Sequence, residues 1–185
     1  MAKNNQFPMH VSPVGTASWP WLNKPDTRFD EDGIYHVKLV MTKEESGKLG
    51  AVINPLMNGG KHNPLKPEKD DQGNNTGNMV CQFKMKSVVN SRKGSFTQSP
   101  VLLDKEGQRI EATIGAGSKI KIAYQAVPFD QGGGGVTLRL RKVRVLDMVE
   151  YHDPSGDNIE WGDEFTNSVV NDSKDAPEDV DGEDF

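Results

Sequence analysis

The feature that most constrains the fold is a two-residue alternation of apolar and polar side chains. It occurs in four segments, at residues 33–41, 79–89, 118–129 and 136–151. Successive side chains of a β-strand point to opposite faces, so the alternation predicts strands that each bury one face. In the last segment the apolar phase shifts by one residue, which predicts a β-bulge near Lys142.

One short helix is predicted between the first two of these strands, within residues 42–60. Thr42 and Glu45 form a capping-box pattern at its start, and apolar residues follow at helical spacing. Pro55 is expected to end or kink this helix, because proline lacks the backbone N–H that continues the ladder.

The remaining connections are predicted to be loops and one weaker strand. Residues 61–78 are polar and are expected to form a mobile loop, and the glycines at 132–135 a flexible one. The weaker strand lies at 96–104. This count of strands and helices predicts a mainly β fold: a five-stranded OB-type barrel with one or two short helices. An open β-sandwich is the alternative.

Charge divides the chain into two parts. Residues 1–152 contain 21 Lys and Arg against 15 Asp and Glu, whereas residues 153–185 contain one Lys against 12 Asp and Glu. We therefore predict a folded domain over 1–152 and a disordered acidic tail over 153–185. A basic body with an acidic tail favours a body that binds polyanions. A solubilising tail on an unspecialised domain is the simpler alternative.

Three of the predicted strands carry pairs of cations on the face opposite their apolar residues. The pairs are Lys84 and Lys86, Lys119 and Lys121, and Arg139 and Arg141. One such strand is typical of a solvated sheet face. Three of them repel one another, and a polyanion such as a phosphate backbone would relieve that repulsion.

Aromatic side chains fall near these cations at predicted strand ends and in loops. They are Trp19, Trp21, Phe96 and Phe129, and Lys24 and Arg28 flank the tryptophan-containing segment. Exposed rings beside cations are the stacking surface that single-stranded nucleic acid uses. Each ring taken alone fits better as a core residue beneath a loop, and we expect at least one or two of the four to be exposed.

Signals for catalysis are absent from the sequence. It lacks the common hydrolase, metalloprotease and nucleotide-binding motifs, and its four histidines lack metal-ligand spacing. The single cysteine, Cys81, lies in an apolar alternation and is predicted to be a small core residue. We expect a binding protein with no enzymatic activity, no cofactor and no metal site.

The chain also resembles the single-stranded-DNA-binding replication proteins of short-tailed bacteriophages. The most specific stretch is GAGSKIKIAYQAVPF at 115–129, combined with an acidic tail that ends in Phe185. The other matching stretches are 14–26, 33–39, 64–67, 102–111 and 136–150.

The resemblance implies an OB fold that binds single-stranded DNA without strong sequence preference. It also implies a role in phage DNA replication, recombination and repair in the host bacterial cytoplasm, and a homodimer. In such proteins the acidic tail competes with DNA for the groove and recruits the phage DNA polymerase and helicase-primase. The tail residues expected to act here are Asp179, Asp181, Glu183, Asp184 and Phe185.

Two other classes of function remain open at this point. A dimeric protein–protein scaffold would use the tail to recruit partners and would not bind DNA. A nuclease would need a carboxylate cluster in the folded body, and no such cluster is visible in the sequence.

Overall fold

The computed structural model describes residues 7–151, which form ten strands, one α-helix and one 3-10 turn at Gln131–Gly133. The predicted acidic tail lies outside the described residues. The elements in chain order are β1 (Met9–Val11), β2 (Gly15–Asp26), β3 (Ile34–Thr42), α1 (Lys43–Met57), β4 (Leu65–Lys69), β5 (Asn75–Lys86), β6 (Val88–Ser91), β7 (Gly94–Thr97), β8 (Val101–Leu103), β9 (Lys119–Phe129) and β10 (Gly135–Asp147). No helix within residues 7–151 is both long enough and apolar enough to cross a membrane.

Five strands close into a ring in the order β2, β3, β5, β10 and β9, with β9 returning to β2. Only the contact of β5 with β10 is parallel within this ring, at the pair Arg139 and Lys84. Strands β1, β4 and β8 add to β9, β5 and β10 respectively. The predicted five-stranded OB-type barrel is therefore confirmed.

The core is built from the inward-facing residues of the alternating strands. Val37, Leu39, Phe83, Ile120 and Ile122 are wholly or almost wholly buried there.

Cys81 lies in the core, as the sequence predicts, and only 1% of its surface is exposed. Burial raises the pKa of its thiol to about 12. The thiol is therefore protonated at neutral pH, which suits a packing residue and not a nucleophile.

The predicted β-bulge is present in β10. Leu140 pairs with Tyr124 and Lys142 with Ala123, so Arg141 is one extra residue on β10. The inward set consequently changes from Leu138 and Leu140 before the bulge to Val143 and Val145 after it. The bulge explains the phase shift in the sequence, and it leaves both Arg141 and Lys142 outside the core.

The helix begins and ends within the predicted segment 42–60. The Thr42 hydroxyl accepts from the Glu45 backbone N–H at 3.2 Å, and the Glu45 carboxylate accepts from the Thr42 N–H at 3.1 Å. Pro55 lies inside the last turn instead of ending the helix, which continues to Met57 because Leu56 and Met57 pack against the core. Asn58, in the left-handed conformation, caps the end.

The prediction of a mobile loop at 61–78 was wrong. Most of this segment is a β-hairpin in which β4 pairs with β5, with Pro67 opposite Met79. The carboxylate of Asp70 accepts from the backbone N–H groups of Gln72 and Asn74, which holds the turn. The hairpin is polar because β4 is an edge strand, and an edge position also tolerates Pro67.

The weaker strand predicted at 96–104 is two separate strands. β7 pairs with β6 in a small hairpin outside the ring, and β8 pairs with β10. Pro100 lies between β7 and β8 and is buried. Because proline cannot donate to a ladder, one continuous strand through it would lose a hydrogen bond.

Candidate nucleic-acid interface

A continuous groove runs over the outer faces of β3, β5 and β10. It consists of three hollows, and Lys84 lines all of them. The first two hollows also share Lys38 and Gln82, the second and third share Ile34, and the first and third share Thr137. These shared walls make the hollows one surface, which we call the groove.

Cations converge on the groove from all three strands. Lys84 lies opposite His36 of β3 on one side and opposite Arg139 of β10 on the other. The remaining groove cations are Arg28, Lys38, Lys66, Lys86 and Arg141. Among the described residues, only Arg28, His36 and Lys105 lie within 4.0 Å of a carboxylate oxygen. The centre of the groove is therefore a region of uncompensated positive charge that attracts anions.

Trp19 projects into the groove from a second bulge. Ser18 pairs with Lys38 and Trp21 with His36, so β2 has one more residue than β3 across this interval. Trp19 has a backbone φ of 50° and is 69% exposed. A large side chain in the left-handed region is strained, and such strain concentrates at functional sites. The bulge thus turns an aromatic ring toward solvent at the wall of the second hollow.

Arg28 is fixed at the end of the groove by a buried carboxylate. Its guanidinium donates two hydrogen bonds to Asp26, at 2.9 and 2.8 Å. The Arg28 guanidinium lies 4.9 Å from the ring centroid of Trp21, and the Trp21 ring lies 6.4 Å from the ring of His36. Trp21 is half-buried and lines none of the three hollows. Its contribution to the groove is therefore its cation–π contact with the Arg28 guanidinium.

The electrostatics of this cluster follow from its hydrogen bonds. The Arg28 guanidinium holds the pKa of Asp26 well below its ordinary value. The hydrogen bond with His36 at 3.0 Å lowers the pKa further, and burial opposes both effects. Asp26 is therefore ionised throughout the neutral range, and it in turn raises the pKa of Arg28.

Two more of the predicted aromatic residues line the groove. Phe96 is 53% exposed on the β6–β7 hairpin and lines the third hollow. Phe129 lines the first hollow and stacks on His62, with ring centroids 6.1 Å apart. Three of the four predicted rings, including Trp19, thus lie on one surface.

The glycine loop beside Phe129 is held by hydrogen bonds and is not free, in contrast to the flexible loop predicted. The backbone N–H groups of Lys61 and His62 donate to Gly133 and Gly134 at 3.1 and 3.0 Å. A His62 ring nitrogen bonds with the Gly132 carbonyl at 2.9 Å. A Cβ atom on Gly135 would collide with the His62 carbonyl oxygen, so this close approach requires glycine.

The structure does not bring Lys119, Lys121 and Lys24 to the groove. The Lys119 ammonium donates to the Thr16 hydroxyl at 2.6 Å, and Lys121 lies opposite Arg144. Lys24 is exposed near Trp21, at 5.8 Å from the ring. Alternation predicts correctly that the side chains of the two β9 lysines lie outside the core. It does not specify that β9 lies beyond β10 in the ring, away from β5.

Several groove residues were not among the predicted site residues. They are Phe29, His36, Lys38, His62 and Lys66. A signal existed for His36 and Lys38, which share the polar face of the alternating segment 33–41. His62 and Lys66 lie in the segment interpreted as a mobile loop, so nothing in that interpretation placed them near β5.

Within residues 7–151, no group of three or more His, Cys, Asp and Glu side chains is arranged to hold a metal ion. The predicted partner-binding residues of the tail lie outside the described residues.

Comparison with known proteins finds relatives that are similar to this chain in sequence. No family model matches the chain. The chain is 27% identical to the single-stranded DNA-binding protein of Enterobacteria phage T3, over 92% of this chain and 90% of that protein. It is 29% identical to the single-stranded DNA-binding protein of Escherichia phage T7, over 83% of this chain and 81% of that protein. The resemblance to phage single-stranded-DNA-binding proteins is confirmed.

Solved structures of phage single-stranded-DNA-binding proteins share the fold. Bacteriophage T7 gp2.5 matches with a TM-score of 0.63 at 22% identity, over 80% of this chain and 91% of that one. The protein of bacteriophage Enc34 in complex with ssDNA matches with a TM-score of 0.56 at 16% identity, over 80% and 89% of the two chains. At these identities the structural match establishes the OB-type barrel.

Proposed function

We propose that this protein is a non-catalytic binder of single-stranded DNA that acts without strong sequence preference. The observation that carries the proposal is the continuous groove, in which unpaired cations meet exposed aromatic rings. We extend the proposal, on the sequence resemblance alone, to a role in phage DNA replication, recombination and repair in the host bacterial cytoplasm.

The groove offers separate contacts for phosphates and for bases. Lys84, Lys86 and Arg139 supply point charges to the phosphate backbone, where affinity comes from release of counterions. Trp19 and Phe96 supply flat rings on which bases stack, each base contributing roughly 1–3 kcal/mol. Neither contact reads the edge of a base, which explains why binding would tolerate any sequence.

The position of the groove on the barrel also supports nucleic-acid binding. OB folds bind oligonucleotides on the face of their second and third strands, between the loops that follow the first and fourth strands. Here those strands are β3 and β5. The two loops carry Phe29 and the glycine run 132–135 respectively, and Phe29 is 89% exposed.

We further propose that the acidic tail competes with DNA for the groove and recruits partners. Residues 153–185 carry a net charge of −11. Tethering gives such a segment a high effective concentration near a cationic surface. DNA would displace the tail and release Asp179, Asp181, Glu183, Asp184 and Phe185 to the phage DNA polymerase and helicase-primase. We also propose, from the sequence resemblance, that the protein forms a homodimer.

Titration of fluorescent oligonucleotides by the full chain and by a chain ending at Tyr151 tests both parts. We expect the shortened chain to bind more tightly, with a steep loss of affinity as salt rises. Equal affinity of the two chains would refute competition by the tail. If the shortened chain showed no binding at low salt, the proposal as a whole would fail.

Tryptophan fluorescence distinguishes DNA binding from the scaffold alternative. Stacking of a base on Trp19 should quench its emission, whereas a scaffold should show no change on addition of oligonucleotide. The shortened chain is the appropriate sample because it lacks Trp161 of the tail.

A further inference from the structure

Strand β10 carries outward-facing cations beyond the limit of the groove. Arg139 and Arg141 line the third hollow, and Lys142 and Arg144 follow them on the outside of the barrel. Strict alternation would turn Lys142 and Arg144 inward. The bulge at Arg141 reverses the phase, so cations face outward along the whole central part of the strand.

The second pair of cations has a third neighbour on β9. Lys121 lies directly opposite Arg144 in the antiparallel ladder. Like charges placed opposite one another destabilise a sheet, and an anion between them would remove that cost. Among the described residues, neither side chain has a carboxylate within 4.0 Å.

Arg144 is also held in place by the turn after β8. Its guanidinium donates to the Lys105 carbonyl oxygen at 2.6 Å, a contact that fixes the side chain without neutralising it. Neither Asp147, which lies opposite Lys119 in the ladder, nor Glu106, which lies 3.8 Å from the Lys105 ammonium, forms an ion pair with Arg144. The pair formed by Lys121 and Arg144 is therefore a charged surface without an internal counterion among residues 7–151.

We propose that a bound DNA strand leaves the third hollow past Arg141 and continues along β10 to Lys121, Lys142 and Arg144. This inference rests on the proposed function, because it extends the path of the same ligand. Arg139 and Arg144 are five residues apart, which corresponds to about 16 Å along a strand. The three residues of the extension carry charge and no aromatic ring, so we expect the extension to contact phosphates and not bases.

Oligonucleotides of two lengths test the extension with the full chain. A strand of about 5 nucleotides fills part of the groove, and one of about 16 nucleotides is long enough to reach the extension. The variant is Lys121→Gln with Arg144→Gln, and the control is Lys43→Gln with Lys48→Gln. The control removes the same charge from exposed positions of α1 that line none of the hollows.

We expect the variant to bind the long strand on the order of tenfold more weakly at low salt. Its salt dependence should also become shallower by about 1.4 in log–log slope, since each single-strand phosphate contact contributes about 0.7. Binding of the short strand should not change, and the control should bind both strands as the unmodified chain does. Lys121→Gln with Lys142→Gln should repeat the result while keeping the hydrogen bond between Arg144 and Lys105.

Unchanged binding of the long strand by both variants would overturn the extension and leave the groove intact. Equal weakening for both lengths would also overturn it, because the cations would then act on the groove itself. Failure of the unmodified chain to bind either strand would instead refute the proposed function.

Discussion

The cations at the two ends of the groove, Arg28 at one and Arg139 with Arg141 at the other, differ in whether a carboxylate neutralises them. At the end beside the β2–β3 loop, Arg28 is fixed by two hydrogen bonds to Asp26, whose carboxylate neutralises it. At the other end Arg139 has no carboxylate partner among the described residues, and Arg141 is held only by the neutral amide of Gln125, at 2.9 Å. The guanidinium at the first end is held in a fixed orientation, and the cations at the other end keep the charge that attracts an anionic strand.

The difference shows that one binding surface can use some cations to present N–H groups in a fixed direction and others to attract the anionic ligand. A neutralised guanidinium contributes little to the long-range field, but it can present its free N–H groups in a fixed direction. An unpaired ammonium or guanidinium contributes fully to counterion release. We therefore expect substitution of the unpaired cations to weaken binding and make its salt dependence shallower, and removal of the Asp26 carboxylate at the paired end to make the salt dependence steeper.

The largest effect is expected from reversing charge at the centre of the groove. Lys84→Glu with Arg139→Glu removes two phosphate contacts and adds repulsion, so affinity for single-stranded DNA should fall on the order of 100-fold. The loss should be similar for oligonucleotides of different sequence, as measured by anisotropy titration. Lys43→Glu with Lys48→Glu makes the same charge change on α1, and a similar loss there would mean that only net charge matters.

Trp19→Gly should weaken binding roughly tenfold without harming the fold. The loss of one ring on which a base stacks accounts for the fall in affinity. Relief of the strained backbone is worth on the order of 1–3 kcal/mol, and glycine costs about 0.5–1 kcal/mol of unfolded-state entropy. The melting temperature should therefore stay the same or rise. A clear fall in melting temperature would indicate that the ring packs against the barrel.

Asp26→Asn should give Arg28 the character of an unpaired cation. One additional uncompensated charge predicts a log–log salt slope steeper by about 0.7 and affinity about fivefold higher at low salt. Titrations at three or more salt concentrations measure both quantities. An unchanged slope would show that the charge of Arg28 does not reach the bound strand.

The same carboxylate predicts a pH dependence of stability. The pKa of Asp26 is lowered in the folded protein from an ordinary value of 3.8, so its contribution is complete above that value and is lost as pH falls below it. The stability advantage of the unmodified chain over Asp26→Asn should thus be constant from neutral pH to about pH 4 and shrink in stronger acid. Denaturant titrations of both proteins across this range would measure it. An advantage that persisted unchanged in strong acid would contradict the lowered pKa.

The sequence was informative wherever a strand is half-buried. Alternation located the core residue Cys81, the outward lysines of β5 and the bulge in β10, because burial of one face imposes a strict period. It failed at β4, an edge strand whose residues are mostly exposed and therefore need no apolar period. Lys66 was missed for that reason, and His62, which precedes β4, was missed because the whole segment 61–78 was interpreted as a loop.

The site was harder to predict than the fold because it depends on which strands become neighbours. Trp19 and Lys84 are 65 positions apart and reach the same hollow only because β2, β3 and β5 follow one another in the ring. Local pattern does not carry this information. The cluster of Arg28, Asp26 and His36 likewise joins two strands through side-chain hydrogen bonds that no spacing rule anticipates.

The smallest effect is expected at Lys119, which the sequence ranked with the groove lysines. Its ammonium is held by a hydrogen bond to the Thr16 hydroxyl, and the residue lines none of the three hollows. Lys119→Gln should change affinity for short and long oligonucleotides less than twofold, while Lys84→Gln should weaken it several-fold. Equal losses for the two variants would mean that the field of the whole barrel, and not the groove, governs binding. In that case the contrast between a paired and an unpaired end would have no functional meaning.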